Sequence, residues 1–341
     1  MARRRRRRKS RNMTAWGIGG CAVLAVWWWY SGEDTAQSTT PADVVALADS
    51  AAPMRVALRS DRPEIPGAPL DPGVLEKGGH ASDTNDEAGV SAVSARAAAL
   101  LDSGQQAFAR EDWLTARQHL NEALKLGVEP SELTRLRADL TRIADATIFS
   151  SRILAGDPLV EAYVVKTGDT LGKIAKGLEI SDDLLARVNG IQNKNMIHIG
   201  QRLKVVRGPF RAVVRKKSYS LDIYLGDTFI RRYKVGLGED DSTPRGQWRV
   251  QNKLKNPTYY PPRGGKIIGA DNPKNPLGER WVGLVGIEGE TLGLLRYGIH
   301  GTIEPQSIGK SLSLGCIRMY NEDVEFIYDL LVEKHSTVTI R

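Results

Sequence analysis

Cys316 and His300 are the residues of this 341-residue chain whose types and spacing point to covalent chemistry. The cysteine lies in Ser311-Leu-Ser-Leu-Gly-Cys-Ile-Arg-Met319. The histidine stands sixteen positions earlier, in Tyr297-Gly-Ile-His-Gly-Thr302. A thiol attacks as its thiolate, and a neighbouring imidazole favours that form or takes the proton as attack proceeds. Gly315 lets main-chain N–H groups turn toward a developing oxyanion. Arg318 is placed to hold a substrate carboxylate or to support the loop. The other cysteine, Cys21, lies in an apolar N-terminal segment, so Cys316 has no plausible disulfide partner within the chain. Taken alone, the pair reads equally well as a small buried hydrophobe beside a satisfied core histidine.

The elements that must position this pair are mostly strands. Arg211–Val214, Ser220–Leu225 and Thr228–Val235 have strand composition, with Gly226-Asp227 as a hairpin turn. Gln247–Val250, Trp281–Leu284 and Leu294–Ile299 read as further strands, and Ser336–Ile340 as a terminal one. Gly236–Gly238 and Thr243–Gly246 read as turns, and Tyr259–Gly265 as a long loop. Asn321 is expected to cap one helix, with Val324, Ile327, Tyr328 and Leu331 as its buried stripe. The region 209–341 is therefore expected to be mainly β with one substantial helix.

Ahead of it, 161–206 reads as strand, helix, helix, strand: Tyr163–Val165, then Leu171, Ile174, Ala175 and Leu178 on one face, then Leu184, Leu185 and Val188 after a Ser181 cap, then Gly200–Val206. Residues 91–152 are helical in pattern. Gly104, Trp113, Ala116 and Ala123 resemble the small and aromatic positions of one tetratricopeptide unit. Such a segment is expected to act as a spacer, to self-associate or to bind a protein. Residues 31–90 are rich in breakers without a period and read as a flexible linker.

The N-terminus has a different character. Residues 1–12 form a basic tail that holds eight of the 48 Lys and Arg residues. That accounts for the whole formal net charge of +8, since the remaining basic residues balance the 40 acidic ones. The excess is a tail rather than a groove, which excludes specific nucleic-acid binding as the main function. Residues 13–30 carry no charge and end in Trp27-Trp-Trp-Tyr30. As a helix they would span roughly 27 Å, near a bilayer's hydrocarbon thickness. The cationic flank predicts a cytoplasmic N-terminus, with the remainder exported across the inner membrane. No small-x-small cleavage site follows the apolar run, so an uncleaved single-pass anchor is expected over a removed signal peptide. Cys21 as a lipidation site is a lesser reading, because the apolar run continues past it.

Two resemblances sharpen this. Tyr163-Val-Val-Lys-Thr-Gly-Asp-Thr-Leu-Gly-Lys-Ile-Ala175, with Asn189, Ile197 and Gly200-Gln-Arg-Leu203, resembles the LysM module. That implies binding to N-acetylglucosamine-containing glycan, in a groove formed around Gly168, Asp169, Thr170 and Leu171 and around Asn189 and Ile191. Along nearly its full length, 209–341 resembles the YkuD-type L,D-transpeptidase catalytic domain. The matching segments are Ser242-Thr-Pro-Arg-Gly-Gln-Trp248, Asn256–Tyr260, Asn275-Pro-Leu-Gly278, Tyr297–Thr302, Ser307-Ile-Gly309 and Ser313-Leu-Gly-Cys-Ile-Arg-Met319. The resemblance implies Cys316 as nucleophile and His300 as general base, with the Gly301 carbonyl orienting the imidazole. It implies that the Gly315 and Cys316 amides line an oxyanion hole, and that Ser313 and Arg318 position substrate or loop. Many members carry histidine where this chain has Leu314, so a second-histidine role is unavailable.

The expectation is a multidomain α+β membrane-anchored enzyme that needs no metal or cofactor. Its partners would be peptidoglycan glycan strands and stem peptides. It would form 3→3 cross-links through a cysteinyl thioester and release D-alanine. The alternatives are an L,D-carboxypeptidase using the same acyl-enzyme, and an inactive wall-binding scaffold.

Overall fold

In the C-terminal region, apolar residues alternate with polar ones along successive strands, which lays a single apolar face on a sheet. Phe210, Ala212 and Val214 do this on one strand, and Leu221, Ile223 and Leu225 on the next. All six are buried in one core. The structure, a computed structural model, describes residues 84–262 and 264–341. The basic tail, the expected membrane span over 13–30, Cys21 and the linker up to residue 83 lie outside the described residues. Among the described residues, no helix is long and apolar enough to cross a membrane.

Three helices come first: α1 (Thr84–Ala109), α2 (Trp113–Leu126) and α3 (Leu133–Thr147). Helix α1 begins inside the stretch read as linker. Its buried positions include Ala97, Gly104 and Ala107, and such small residues leave little apolar period to read. Next come β1 (Val160–Val164), α4 (Leu171–Gly177), α5 (Asp182–Val188) and β2 (Arg202–Val206). Strands β1 and β2 pair antiparallel, as the strand–helix–helix–strand reading expects. Thr170 caps α4 by accepting from Lys173 N–H, and Ser181 caps α5 by accepting from Leu184 N–H.

The remaining strands are β3 (Phe210–Arg215), β4 (Ser220–Leu225), β5 (Thr228–Lys234), β6 (Leu237–Gly238), β7 (Gly246–Lys255), β8 (Arg280–Gly286), β9 (Tyr297–His300), β10 (Ser311–Ser313) and β11 (Ile317–Arg318). Helix α6 (Asn321–Leu330) and β12 (Thr337–Ile340) close the chain. Eight of these strands form one sheet in the order β11-β9-β8-β7-β12-β3-β4-β5. Only the β12–β3 and β11–β9 pairings are parallel. The two short strands β6 and β10 pair parallel with each other, where Gly236–Gly238 reads from sequence as a turn. Val324, Ile327, Tyr328 and Leu330 of α6 bury against the apolar face that includes Trp248, Val282 and Ile299.

Edge strand β5 is covered by the helices. Leu120, Leu136, Leu140 and Ile143 form a second core with Phe229. The Asn121 side chain accepts from the Phe229 N–H at 2.7 Å, and Thr141 Oγ1 donates to the Ile230 carbonyl at 3.3 Å. Side chains thus occupy backbone groups that an open edge would offer to another strand.

Candidate active site

The register of β9 and β11 sets His300 beside Arg318, two residues after Cys316. Ile317 stands beside Ile299, and Arg318 beside His300. Both isoleucines are buried in the core. Side chains alternate along a strand, so His300 and Gly298 of β9 face the opposite side, together with Arg318 of β11. Gly298 keeps this place open: a Cβ there would fall 2.6 Å from the Trp281 ring.

His300 is buried, and its Nδ1 lies 2.6 Å from the Gly301 carbonyl oxygen. A carbonyl only accepts, so Nδ1 carries the proton and Nε2 holds the lone pair. The Trp281 indole stacks on the imidazole, with centroids 5.8 Å apart and planes 21° from parallel. Burial holds His300 down at about 4; the Gly301 hydrogen bond works against this and the Arg318 charge adds to it. Cys316 is half-buried, and its thiol faces the Arg296 carbonyl at 3.7 Å. Burial pushes that thiol up to about 11, against smaller downward pulls from a Gly298 backbone hydrogen bond and from Arg318. Near neutral pH the resting pair is therefore thiol and neutral imidazole.

The loop before Cys316 is tightly tied. Ser313 Oγ donates to the Cys316 carbonyl at 2.6 Å and accepts from the Gly315 N–H at 3.1 Å. The Gly315 amide expected in the oxyanion hole is thus engaged by Ser313. Gly315 itself has φ +130°, a conformation closed to ordinary side chains, and a Cβ would sit 2.9 Å from the Tyr297 ring. Thr243 Oγ1 donates to the Gly315 carbonyl at 2.9 Å. Arg318 pairs with Glu304 at 2.8 Å, so its charge is already partnered on one side. Leu314, where many relatives of the resembled family carry histidine, is 47% exposed.

Asn321 departs from its expected role. Tyr320 takes the cap position of α6 and no side chain caps it. The Asn321 side chain turns instead to the backbone after His300. It accepts from Thr302 N–H at 3.0 Å and donates to the Thr302 carbonyl at 3.3 Å. Trp281, Thr243, Glu304 and Asn321 thus join the site although sequence reading gave them no part in it. Thr243 lies in a segment that resembles the catalytic family, but the part each residue plays rests on a tertiary contact that the local pattern does not show.

In the strand–helix–helix–strand module, the residues expected to contact glycan are largely occupied. The Asp169 carboxylate accepts from Tyr163 Oη at 2.7 Å and from Lys166 N–H at 2.8 Å, the backbone bond first among the causes that hold it below the usual range. Asn189 donates to the Leu185 and Lys204 carbonyls and accepts from Lys204 N–H. Leu171 is 1% exposed and belongs to the core. Thr170 is engaged as a cap, Gly168 is exposed and Ile191 is half-buried.

Residues 209–340 match the L,D-transpeptidase catalytic domain family, YkuD, and residues 163–206 match the LysM domain family. A Bacillus licheniformis protein provisionally named L,D-transpeptidase YkuD is 32% identical over 169 residues, covering 48% of this chain and 88% of that relative. The Bacillus subtilis protein provisionally named L,D-transpeptidase YqjB is 38% identical over 122 residues, covering 35% of this chain and 64% of the relative. Among solved structures, an L,D-transpeptidase from Mycobacterium smegmatis matches with a TM-score of 0.30 at 13% identity. That match covers 42% of this chain and 64% of that one, just short of two thirds.

Proposed function

The chain belongs to the YkuD family of L,D-transpeptidases, and from that premise we propose that it cross-links peptidoglycan stem peptides through a thioester on Cys316. The observation that carries this reading is the pairing of β9 with β11. It supports the reading by setting an Nδ1-anchored His300 beside Arg318, two residues after Cys316.

In the proposed reaction, Sγ attacks the carbonyl carbon of the L-centred third residue of a tetrapeptide stem while its proton passes to His300 Nε2. The tetrahedral oxyanion collapses, the bond to the terminal D-alanine breaks, and the imidazolium returns the proton to the departing amine. An amine of a neighbouring stem then attacks the thioester, its proton goes to His300, and the thiol is restored as the 3→3 link forms. No cofactor enters the scheme. With the thiol held near 11, thiolate is about one part in 10⁴ at pH 7, so proton transfer accompanies attack rather than preceding it.

The LysM module would hold the glycan to which the stems are attached, through the loops around Gly168–Leu171 and Asn189–Ile191. Because Asp169 and Asn189 are committed to internal bonds, exposed loop backbone there would make most of the contact. Anchoring by 13–30 would keep the enzyme on the outer side of the inner membrane, at the wall.

Incubation with purified tetrapeptide muropeptides tests the proposal. Dimers with 3→3 links are expected, lost in Cys316→Ala while glycan binding is retained. Tripeptide without dimer would assign the acyl-enzyme to hydrolysis. Absence of both products, with no carbapenem adduct on Cys316, would leave a wall-binding scaffold.

A further inference from the structure

Thr243 lies in the connection between β6 and β7, 1% exposed, in a segment that reads from sequence as a simple turn. Its hydroxyl bridges two backbone groups: it accepts from Gly238 N–H at 2.8 Å and donates to the Gly315 carbonyl at 2.9 Å. The second bond matters for the neighbouring atom. Gly315 C=O and Cys316 N–H belong to one planar trans peptide, so fixing the carbonyl toward Thr243 fixes the N–H in the opposite direction. The Gly315 N–H is already given to Ser313. The orientation of the remaining amide at the nucleophile is thus set by one buried hydroxyl.

That hydroxyl is itself held. Lys216, whose side chain is 6% exposed, donates to the Thr243 carbonyl, donates to the Asp241 carbonyl at 3.2 Å and pairs with the Asp241 carboxylate at 2.5 Å. The turn also lies directly against the loop of the nucleophile: a Cβ on Gly238 would come 2.8 Å from Gly315 Cα.

We propose that Thr243 is a positioning residue for acyl transfer, aiming the Cys316 N–H at the place where the oxygen of the acyl donor becomes an oxyanion. This rests on Cys316 being the nucleophile, as proposed above. The hydroxyl then matters only to steps that pass through a tetrahedral oxyanion. It has no part in a reaction of the thiol that develops no such charge.

The test compares two reactions of the same sulfur in the full chain. Acylation of Cys316 by a carbapenem, followed by mass spectrometry, passes through an oxyanion; alkylation by iodoacetamide does not. Losing one oxyanion donor costs about 10²–10³-fold, so misdirecting it in Thr243→Val is expected to slow acylation by about 10- to 100-fold. Thr243→Ser, which keeps the hydroxyl, restores most of the rate. The alkylation rate and its pH profile stay at wild-type values in both. Thr243→Ala removes the same hydroxyl without placing a methyl against the carbonyls, and must show the same split if the valine variant folds poorly. Acylation at the wild-type rate without the hydroxyl overturns the proposal, and so does a parallel fall in alkylation, which marks general loss of structure. Wild-type protein that alkylates at Cys316 but takes no carbapenem there fails earlier, at the nucleophile reading itself.

Discussion

At the scale of single residues, the resting site holds its proton on sulfur. Burial sets the thiol near 11 and the imidazole near 4, so no thiolate–imidazolium pair forms between them. Alkylation of Cys316 by iodoacetamide is therefore expected to keep rising with pH beyond 9, without a plateau between pH 5 and 8. A plateau there would show a preformed ion pair. The His300 shift also bears on stability. Between pH 6.5 and 4 the unfolded chain binds a proton at this residue that the native state refuses, so stability falls as pH falls through that window. A displacement of this size corresponds to roughly 3 kcal/mol by pH 4. His300→Gln should lose that much less over the same range in urea unfolding. Cys316 and His300 stand out as candidates through the motifs that resemble a known catalytic domain, since a thiol and an imidazole alone read equally well as core residues. Thr243 and Trp281 do not, since their parts depend on which strand lies beside them.

At the scale of elements, most strands were readable from alternation, and β3, β4 and β5 fall within a residue or so of where the pattern places them. The misread elements are those whose residues serve another element. Asn321 has the composition of a helix cap, yet its amide turns across to the Gly301–Thr302 peptide. Thr302 N–H and Gly301 C=O share that peptide, so Asn321 steadies from one side the carbonyl that orients His300 from the other. Asn321→Ala should leave α6 in place and cost about 1 kcal/mol of stability. By loosening His300, the proposed base, it should slow carbapenem acylation by about 10- to 100-fold. An unchanged acylation rate would reduce the contact to a structural one. Helix α1 illustrates a different failure, because an alanine-lined contact face leaves little period along the sequence.

Across the described residues, the helices, the LysM module and the catalytic sheet share polar joints, the Arg117–Asp157 pair among them buried. Arg117 of α2 meets Asp157, ahead of β1, through bonds of 2.5 and 3.0 Å, with both side chains nearly inaccessible. Lys204 of β2 donates to the Ser150 carbonyl at 2.8 Å just beyond α3, and its burial brings it down to about 8. Ser181 and Arg187 of the LysM module bond to Asp329 of α6. Asp157→Ala would leave a buried guanidinium unpaired, expected to cost about 3–5 kcal/mol. Calorimetry should show the loss on one transition shared by helices and sheet; a separate early transition for the helices alone would argue against the joint. None of this was readable from sequence, which presented the helical stretch as a spacer or a binding unit rather than as cover for β5.

The place of β12 has a consequence for how the molecule is made. Strands β3–β5 and strands β7–β9 with β11 join in the sheet through β12, which pairs with β3 on one side and β7 on the other; besides it, a single Gly236–Arg318 bridge links the segment after β5 to β11. Ribosomes deliver β12 after both halves. Until Thr337–Ile340 emerges, each half presents an open central edge to any strand nearby. The sheet therefore closes only once synthesis has passed its last strand, and a nascent chain stalled short of that point carries two adhesive borders and no finished sheet.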